Sequence, residues 1–308
     1  MKAPIRRFAV LLALFALTGC WRGRLLVCGE LPFWASLGEP TRVKAELAIH
    51  SILRGYLPTF LSVGVQENPR ERLVAALGSG RFSAAVVGPL LSLEAAGFVD
   101  GFPMVRFVMI GGRPTEGDAS KVTRVVFDRT EAYRTAGDCA RLSLSEGPPG
   151  GRIGVLAAVA SASAAVASAS AAVDAEVQAF LDGAGPQSAR AVVRSIDEPV
   201  DAAKVRKAVE EMRREGVEIF LPRLGGHDVS CLESLVDAGG CAVTADWEVS
   251  GAFPRQVFLS VEERTIDGIA RGLAKRGKGG GTVEGTVVLA CGEARAVSRE
   301  IREKGRCR

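Results

Sequence analysis

Polar side chains that follow predicted strands are suited to holding a small ligand. Asp246 comes directly after a predicted strand with Trp247 beside it, and a carboxylate can accept two hydroxyl hydrogen bonds at once. Arg223 lies just past another predicted strand, where it either clamps an acidic ligand group or pairs with a surface carboxylate, the more frequent arrangement. Because α/β folds bind ligands at the carboxyl ends of strands, these residues indicate a binding site.

Side chains suited to catalysis or to metal binding are few. His227, Asp228 and Ser230 are the residue types of a hydrolytic triad, but they lie side by side in the chain, whereas triad members converge from separate elements. Ser230 and Glu233 are better interpreted as the capping box of a helix. The other histidine is His50, so a histidine-rich metal site is excluded. Since P-loop, GxGxxG, GxSxG and HExxH patterns are also missing, we expect no enzymatic activity, no cofactor and no metal.

The first twenty residues are organised as a targeting segment. Met1–Arg7 is basic and Phe8–Leu17 is an unbroken apolar run, too short to span a bilayer but of the length of a signal-peptide core. The next residues, LTGC over Leu17–Cys20, resemble the lipobox of bacterial lipoproteins. The resemblance implies cleavage before Cys20, diacylation of that residue and acylation of its new amine. We therefore expect a chain anchored to a membrane of the bacterial cell envelope by acyl chains, facing the periplasm or the outside.

The charge balance argues against nucleic acid as a partner. The chain of 308 residues has a net charge of +4. Three cations, Lys2, Arg6 and Arg7, belong to the leader, so the mature chain keeps a charge of +1 (4 − 3). A charge this small provides no basic face for a phosphate backbone.

The cysteines are predicted to be free thiols. Six of the seven remain after Cys20 and none has CxxC spacing, so a zinc ribbon or a thioredoxin motif is not indicated. An exported chain can form disulfides, but Cys28 and Cys291 lie in apolar runs typical of strands, where buried cysteines are commonly unreactive. The spacing does not define any connectivity.

Strand-like and helix-like segments alternate along the chain. The strands are short continuous apolar runs, as in parallel sheets covered on both faces by helices. The predicted strands are Arg24–Gly29, Thr59–Val65, Ser83–Gly88, Met104–Ile110, Thr123–Phe127, Arg152–Leu156, Ala191–Ile196, Val217–Leu221, Cys241–Ala245, Gln256–Ser260 and Thr286–Cys291. Five precede the GPPGG segment, Gly147–Gly151. This pattern predicts an α/β chain with two doubly wound parallel-sheet lobes, residues 20–128 with 262–280 and residues 129–261 with 281–308.

Helix signals lie between these strands. Asn68 can cap a helix with Pro69 at its first position and Glu71 completing a capping box, and Asp201–Glu215 has one apolar face. The heptad AAVASAS occurs twice over Ala157–Ser170 and is either a low-complexity duplication, which we favour, or a packed helix face.

Several segments resemble the type I periplasmic-binding-protein family. The stretch VVFDRTEAYRTAG (Val125–Gly137), the leader and the two similar halves carry this resemblance. The second half resembles in particular the basic-membrane-protein group, which includes nucleoside-binding lipoproteins. The supporting segments there are RIGVL (Arg152–Leu156), AFLDGA (Ala179–Ala184), GVEIFLPRLGG (Gly216–Gly226), TADW (Thr244–Trp247) and FLSVEERTIDGIARGL (Phe258–Leu273).

The resemblance assigns roles to individual residues. Asp246 matches an aspartate that holds sugar hydroxyls, Gly225 and Gly226 match a glycine pair that lets backbone approach the ligand, and Glu131 matches an acidic hinge position.

The chain also departs from the family pattern. Nucleoside binders of the group carry an Asn/Asp-rich motif where this chain has GELPFWASL (Gly29–Leu37). They also have an aspartate at the position of Gly111 and a lysine at the position of Glu263. Phe33 and Trp34 in the first of these segments either provide a stacking wall for a ligand or pack at the edge of the lobe.

The resemblance implies a solute-binding lipoprotein that hands a small polar ligand, nucleoside or sugar-like, to the permease of an ABC-type uptake system. Closure about a hinge near Asp128–Glu131, Ser260–Arg264 and Gly277–Gly281 would trap the ligand. The alternative is a ligand-sensing or interaction lipoprotein that keeps the fold and has lost transport. A hydrolase on the same scaffold is a third reading with little support, because no nucleophile has a paired base.

Overall fold

The structure is a computed structural model that describes residues 21–294 apart from 38, 65, 96, 98, 112–120, 148–149, 160–174, 246–250 and 276–280. Cys20, Asp246, Trp247 and most of the AAVASAS repeat lie outside the described residues. Within the described part, no helix has both the length and the hydropathy needed to cross a membrane.

The chain divides into two units, and it passes from one to the other three times. Unit 1 comprises Met1–Phe127 and Arg264–Thr286, and unit 2 comprises Asp128–Glu263 and Val287–Arg308. The predicted division differs from this one mainly at residues 281–286. These residues were expected in the second lobe, but they contain a strand that pairs within unit 1.

Unit 1 is built on a six-stranded parallel sheet. Its strands are β1 (Gly23–Glu30), β2 (Tyr56–Val63), β3 (Phe82–Val87), β4 (Arg106–Ile110), β5 (Val122–Val126) and β11 (Gly281–Glu284), and its helices are α1 (Leu31–Leu37), α2 (Pro40–Leu53), α3 (Pro69–Gly78), α4 (Pro89–Ala95) and α9 (Thr265–Ala274). The strand order is β11-β5-β4-β3-β1-β2. Strand β11 was not predicted, because it begins at Gly281, the last residue of a glycine-rich run that is typical of a linker.

The period of two along β1 divides the core of unit 1 between the two faces of the sheet. Leu25 and Val27 belong to a cluster with residues of α2 and α9. Leu26 and Cys28 belong to a second cluster with residues of α3 and α4. Since successive side chains of a strand point to opposite faces, an apolar run such as LLVC requires helices on both sides, as predicted.

Unit 2 repeats this architecture with one reversed strand. Its strands are β6 (Arg152–Val159), β7 (Val192–Asp197), β8 (Val217–Arg223), β9 (Cys241–Thr244), β10 (Val257–Glu263) and β12 (Val287–Cys291), and its helices are α5 (Thr130–Glu146), α6 (described over 175–184), α7 (Ala202–Arg214) and α8 (Asp228–Ala238). The strand order is β12-β10-β9-β8-β6-β7. Two parallel-dominated α/β sheets confirm the predicted fold class.

Strand β12 runs antiparallel to β10, whereas the sequence predicted parallel strands throughout. Glu263 at the end of β10 pairs with Val287 at the start of β12. The chain therefore leaves unit 2 and re-enters it at the same edge of the sheet. A strand that starts at the edge where its neighbour ends must run antiparallel to it.

Helices α5 and α6 approach each other unusually closely. A Cβ atom built on Gly137 of α5 would overlap the carbonyl oxygen of Phe180, and one built on Gly183 of α6 would overlap that of Arg134. The two glycines thus let the backbones of the two helices touch. This crossing places the first turn of α5 beside the start of the described part of α6.

Local capping signals were correct at one helix and wrong at another. Asn68 caps α3 as predicted, its Oδ1 accepting from the backbone N–H groups of Arg70 and Glu71. Ser230 does not cap α8, because that helix already begins at Asp228, whose carboxylate accepts the backbone N–H of Leu224 at 2.7 Å.

The expectation of free thiols holds for four cysteines and is wrong for a fifth. Cys28, Cys139, Cys231 and Cys241 are buried and form no disulfide. Burial, together with Glu30, raises the pKa of Cys28 to about 12, so this thiol is protonated and unreactive at neutral pH. Cys291 is disulfide-bonded, which an apolar strand context did not indicate.

Candidate functional site

The candidate site lies at the carboxyl edge of the unit 2 sheet. The strand order reverses between β6 and β8, because β7 lies on one side of β6 while β8, β9 and β10 lie on the other. Arg223 is the last residue of β8 and pairs with Ala157 of β6. It therefore stands at the topological switch point, where open α/β sheets bind their ligands.

An ion-pair network is buried at this edge. Glu176 of α6 uses both carboxylate oxygens: Oε1 accepts from Nε of Arg129 at 2.8 Å, and Oε2 pairs with Nη2 of Arg223. The side chain of Arg223 is 8% exposed and that of Glu176 is 9% exposed. Arg129 directly precedes α5 and is 30% exposed. Such charge-assisted pairs in a low-dielectric setting hold their partners in a defined orientation.

Tyr133, one turn into α5, is fully buried and forms a wall with Arg223 at this edge of the sheet. The guanidinium carbon of Arg223 lies 4.3 Å from the centroid of the Tyr133 ring, a cation–π contact. Burial raises the pKa of the Tyr133 phenol, against the opposing effect of the Arg223 charge. The hydroxyl is therefore protonated at neutral pH.

Two polar atoms of this wall are buried without a hydrogen-bond partner: Nε of Arg223 and the Tyr133 hydroxyl. Buried donors without a partner cost about 1–3 kcal/mol each, and they are rare in folded proteins. Their convergence at the switch point marks this edge as a place for an exogenous acceptor group.

Glu263 borders the network from the end of β10. Its Oε1 lies 3.8 Å from Nε of Arg129, too far for a hydrogen bond. Desolvation raises the pKa of Glu263 and Glu176 adds to the effect, while the Arg129 charge opposes it. For Arg129, burial acts to lower the pKa, but Glu176, Tyr133 and Glu263 outweigh it and the net shift is upward.

The raised pKa of Glu263 predicts a pH effect on stability. Because the folded state binds this proton more tightly than the unfolded chain does, the associated stabilisation is full below the ordinary value of 4.5 and is lost as pH rises through the folded-state value. We expect Glu263→Gln to gain stability relative to the wild type as pH rises from about 4 to 8. Solvent screening of this partly exposed group limits the gain to less than about 1 kcal/mol.

Thermal unfolding of both proteins across this pH range measures the effect. Glu131→Gln, which removes an exposed carboxylate of the same unit, serves as the control. The assignment would be contradicted if the stability of the wild type increased relative to that of Glu263→Gln as pH rises.

The structure separates the residues that the sequence placed at a ligand site. Glu131 lies in the first turn of α5, but its side chain is 77% exposed and pairs with Arg134 rather than with the network. Gly225 follows Arg223 closely and adopts a positive φ of 61°, which permits the turn after β8, and Gly226 lies in the same short 3₁₀ segment. Arg223 and this glycine pair are thus neighbours along one segment, whereas Glu131 is not part of the buried network.

Phe33 and Trp34 pack in the core of unit 1, and the stacking interpretation is wrong for them. Both rings are buried in the cluster that also contains residues of α2 and α9. The indole N–H of Trp34 donates to the carbonyl of Gly29 at 3.0 Å. The reason is that GELPFWASL continues from β1 into helix α1, whose inner face these aromatics form, instead of forming an open loop.

Sequence reasoning missed most of the buried network. Glu176, Arg129 and Tyr133 come from segments that are far from Arg223 in the chain, and single-sequence patterns do not report such pairings. For Arg129 and Tyr133 a signal existed, since both lie in the VVFDRTEAYRTAG stretch. Glu263 was noted only as a departure from the family pattern.

Unit 1 has a comparable feature at its own switch point, between β1 and β3. Glu30, the last residue of β1, is buried; its Oε1 accepts the backbone N–H of Leu90 at 2.7 Å, and its Oε2 has no hydrogen-bond partner. Glu30 was not among the site residues predicted from the sequence. Across the described residues, no group of three or more His, Cys, Asp or Glu side chains is arranged to hold a metal ion.

Comparison with known proteins identifies the fold. No family model and no curated protein sequence matches this chain. Among solved structures, a transcriptional activator of the comK gene from Bacillus halodurans has a TM-score of 0.65 at 20% identity, covering 92% of this chain and 94% of that chain. An ABC transporter solute-binding protein from Conexibacter woesei has a TM-score of 0.65 at 13% identity, with the same two coverages. A Caulobacter myo-inositol-binding protein has a TM-score of 0.58 at 17% identity, covering 91% and 97%.

These similarities define the class of fold, which is that of type I periplasmic-binding-protein-like proteins. Regulators described as LacI-type share it as well. One fold thus serves transport and transcription proteins, and function has to be argued from the site.

Proposed function

We propose that this chain is a solute-binding protein whose small polar ligand contacts the carboxyl edge of the unit 2 sheet. The observation that carries the proposal is Arg223 at the switch point, with a buried Nε that lacks a partner next to the equally unpartnered hydroxyl of Tyr133. A protein that needed this network only for stability would gain nothing from leaving two buried donors unsatisfied. Asp246 and Trp247, which follow β9, remain predicted ligand contacts.

The finer proposal is a membrane-anchored lipoprotein of an ABC-type uptake system that binds a nucleoside or sugar-like ligand between its lobes by hinge closure and delivers it to a permease. The leader with its LTGC segment supports the anchor. The disulfide of Cys291 fits an exported chain, since disulfides persist in oxidising compartments. Solved solute-binding proteins with this fold support the transport role by analogy.

A ligand-sensing or interaction lipoprotein is the second candidate. It is favoured by the likeness to a structure described as a transcriptional activator and by Glu263, which stands where the nucleoside-binding group has a lysine. Co-purification with a permease would argue against this candidate.

Thermal unfolding with and without ligands tests solute binding. The chain from Trp21 onward, free of carried-over solute, is measured against nucleosides, sugars and small carboxylates. A ligand at 100 times its dissociation constant stabilises by about 2.7 kcal/mol, which raises the unfolding midpoint by roughly 5–10 °C for units of this size. Arg223→Gln should lose this shift, whereas Arg134→Gln, at an exposed arginine of the same unit, should keep it.

Two results would contradict the proposal. A full ligand shift in Arg223→Gln would remove Arg223 from the site. If none of the ligand classes moves the midpoint of the wild type, the sensing or interaction role becomes the better account.

The anchor has its own test. In a bacterial host that processes lipoproteins, Cys20→Ser should abolish incorporation of labelled palmitate and leave the leader uncleaved, because the acylated thiol is missing. Cys28→Ser, which alters a buried cysteine of β1, is the control and should be labelled normally. Labelling of the Cys20→Ser protein would refute the lipoprotein assignment.

A further inference from the structure

We propose that the ligand at the carboxyl edge of unit 2 carries an anionic oxygen group, a carboxylate or a phosphate, that Arg129, Arg223 and Tyr133 bind. The inference rests on the proposed solute-binding function and names the chemical class of the solute. It differs from the neutral nucleoside or sugar that the sequence resemblance implies.

Both oxygens of Glu176, the carboxylate inside the network, are already engaged by arginines. One oxygen accepts from Arg129 and the other from Arg223. Because each oxygen of Glu176 accepts from one guanidinium group, this carboxylate orients the two arginines and is poorly placed to accept a hydrogen bond from a ligand. Its charge offsets one of the two arginine charges.

Hydrogen-bond donors are in excess at this edge. The Nε of Arg223 and the hydroxyl of Tyr133 are buried and unpartnered. Arg129 bonds to Glu176 through Nε, and its two terminal amino groups make no hydrogen bond to any other residue of the described part. Since 30% of the Arg129 side chain is exposed, a solute can reach those amino groups.

Acceptors are scarce by comparison. Glu263 is the remaining carboxylate next to the arginines, 3.8 Å from Arg129, and burial disfavours its charged form. Two guanidinium charges therefore face one carboxylate that both arginines already engage and one whose charged form burial disfavours. Arg129, Arg223 and Glu176 together carry one net positive charge, which an anionic group can balance.

The type of ligand group follows from this balance. A hydroxyl group brings a hydrogen that needs an acceptor, and Glu263 is the one described carboxylate next to the arginines that does not already accept a hydrogen bond from them. A carboxylate or phosphate only accepts, and its geometry matches the paired N–H groups of an arginine. The donor-rich edge thus fits an anionic group better than a neutral polyol.

Matched pairs of solutes test the inference on the full-length chain, purified in detergent and refolded to remove carried-over solute. The pairs are D-glucose with D-glucuronate, D-glucose with D-glucose 6-phosphate, and adenosine with adenosine monophosphate. Affinity is taken from the rise of the unfolding midpoint with ligand concentration. We expect at least one anionic member to bind about tenfold or more tightly than its neutral partner, as charged hydrogen bonds imply. Glucuronate and the two phosphates separate a carboxylate from a phosphate.

Each result has one meaning. Neutral members that bind as well as or better than their anionic partners would overturn the inference and leave the solute-binding function standing. If no member of any pair binds, the proposed function and the inference fail together.

Substitutions at Arg129 locate the anion. Arg129→Gln should lower affinity for the anionic member about tenfold or more and reduce its preference over the neutral partner, while Arg134→Gln should leave both unchanged. The unfolding transition without ligand shows whether Arg129→Gln folds. If it does not, Arg129→Lys replaces it, because lysine retains the charge but lacks the paired N–H groups of the guanidinium. A severalfold weaker affinity for the anionic member is then expected. An unchanged preference in the folded variant would refute the role of Arg129.

Discussion

Gly137→Ala is expected to destabilise unit 2 by about 3 kcal/mol or more, a large effect for a single methyl group. The new Cβ would overlap the carbonyl oxygen of Phe180 and would lie 2.9 Å from the backbone nitrogen of Ala184. Both obstacles are backbone atoms of α6, so no side-chain rotation can relieve the overlap, and the helices must separate. In an ordinary helix interior the same substitution would stabilise the chain by about 0.5–1 kcal/mol.

Denaturant unfolding of the two proteins measures this difference. Gly78→Ala is the matched control, because a Cβ at the last residue of α3 meets nothing within 4 Å. Gly183→Ala should reproduce the loss, since its Cβ would overlap the carbonyl oxygen of Arg134 on the opposite helix. If Gly137→Ala proved as harmless as Gly78→Ala, the close crossing of α5 and α6 would be wrong.

The crossing also matters for the candidate site. Glu176 lies at the start of the described part of α6, and its partner Arg129 lies at the start of α5. A displacement of α6 by even 1 Å would stretch hydrogen bonds whose strength depends on distance. We therefore expect the alanine variants that still fold to lose ligand affinity as well as stability.

Glu176→Gln is expected to cost about 3 kcal/mol, the second large effect. The glutamine has nearly the same volume, so the change removes charge without leaving a cavity. Arg223 would then keep a buried guanidinium without a carboxylate partner, and Arg129 would retain only Glu263 at 3.8 Å. Breaking a buried pair by neutralising one partner typically costs 3–5 kcal/mol; the partial exposure of Arg129 places the expected value at the lower end.

Denaturant unfolding at pH 7 compares Glu176→Gln with Glu131→Gln. Glu131 also pairs with one arginine in unit 2, but both side chains of that pair are largely exposed, and such a pair contributes less than about 1 kcal/mol. If the two variants lost the same small free energy of unfolding, the ion pairs of Glu176 would behave as surface pairs and the network would not be a buried group of charges.

A network of this kind is a costly way to stabilise a fold. Apolar residues of similar volume would serve stability as well or better. Its value lies in orientation: Glu176 holds two arginines in fixed positions at the switch point, so that a ligand need not order them. This is the physical reason to read the network as part of a binding site.

Much of the fold was accessible from the sequence. Runs such as LLVC in β1 and IFL in β8 are short, continuous and apolar, and they can be buried only in strands covered on both faces. Helix α3 was predicted from Asn68 and Pro69 at its amino-terminal end. The sequence did not predict β11, whose residues are exposed or half-buried and therefore have no apolar pattern, nor the antiparallel direction of β12, which depends on where the chain re-enters unit 2.

The candidate site was accessible only in part. Arg223 could be named because its position depends on a local feature, the end of an apolar strand. Phe33 and Trp34 were predicted either to stack on a ligand or to pack at the edge of the lobe. The sequence after a first strand does not distinguish aromatic residues that face a ligand from those that face the core. Their burial depends on helix α1 folding back onto the sheet.

The sequence by itself determined the alternating α/β pattern and the residue at the end of β8, and it predicts a targeting segment, since each of these depends on neighbours in the chain. Only the tertiary structure decided which charges meet. Glu176 is 47 residues from both Arg129 and Arg223, and their contact depends on the close crossing of two helices at a pair of glycines. Burial then decides the chemistry, because unpaired donors and the raised pKa of Glu263 depend on the exclusion of water.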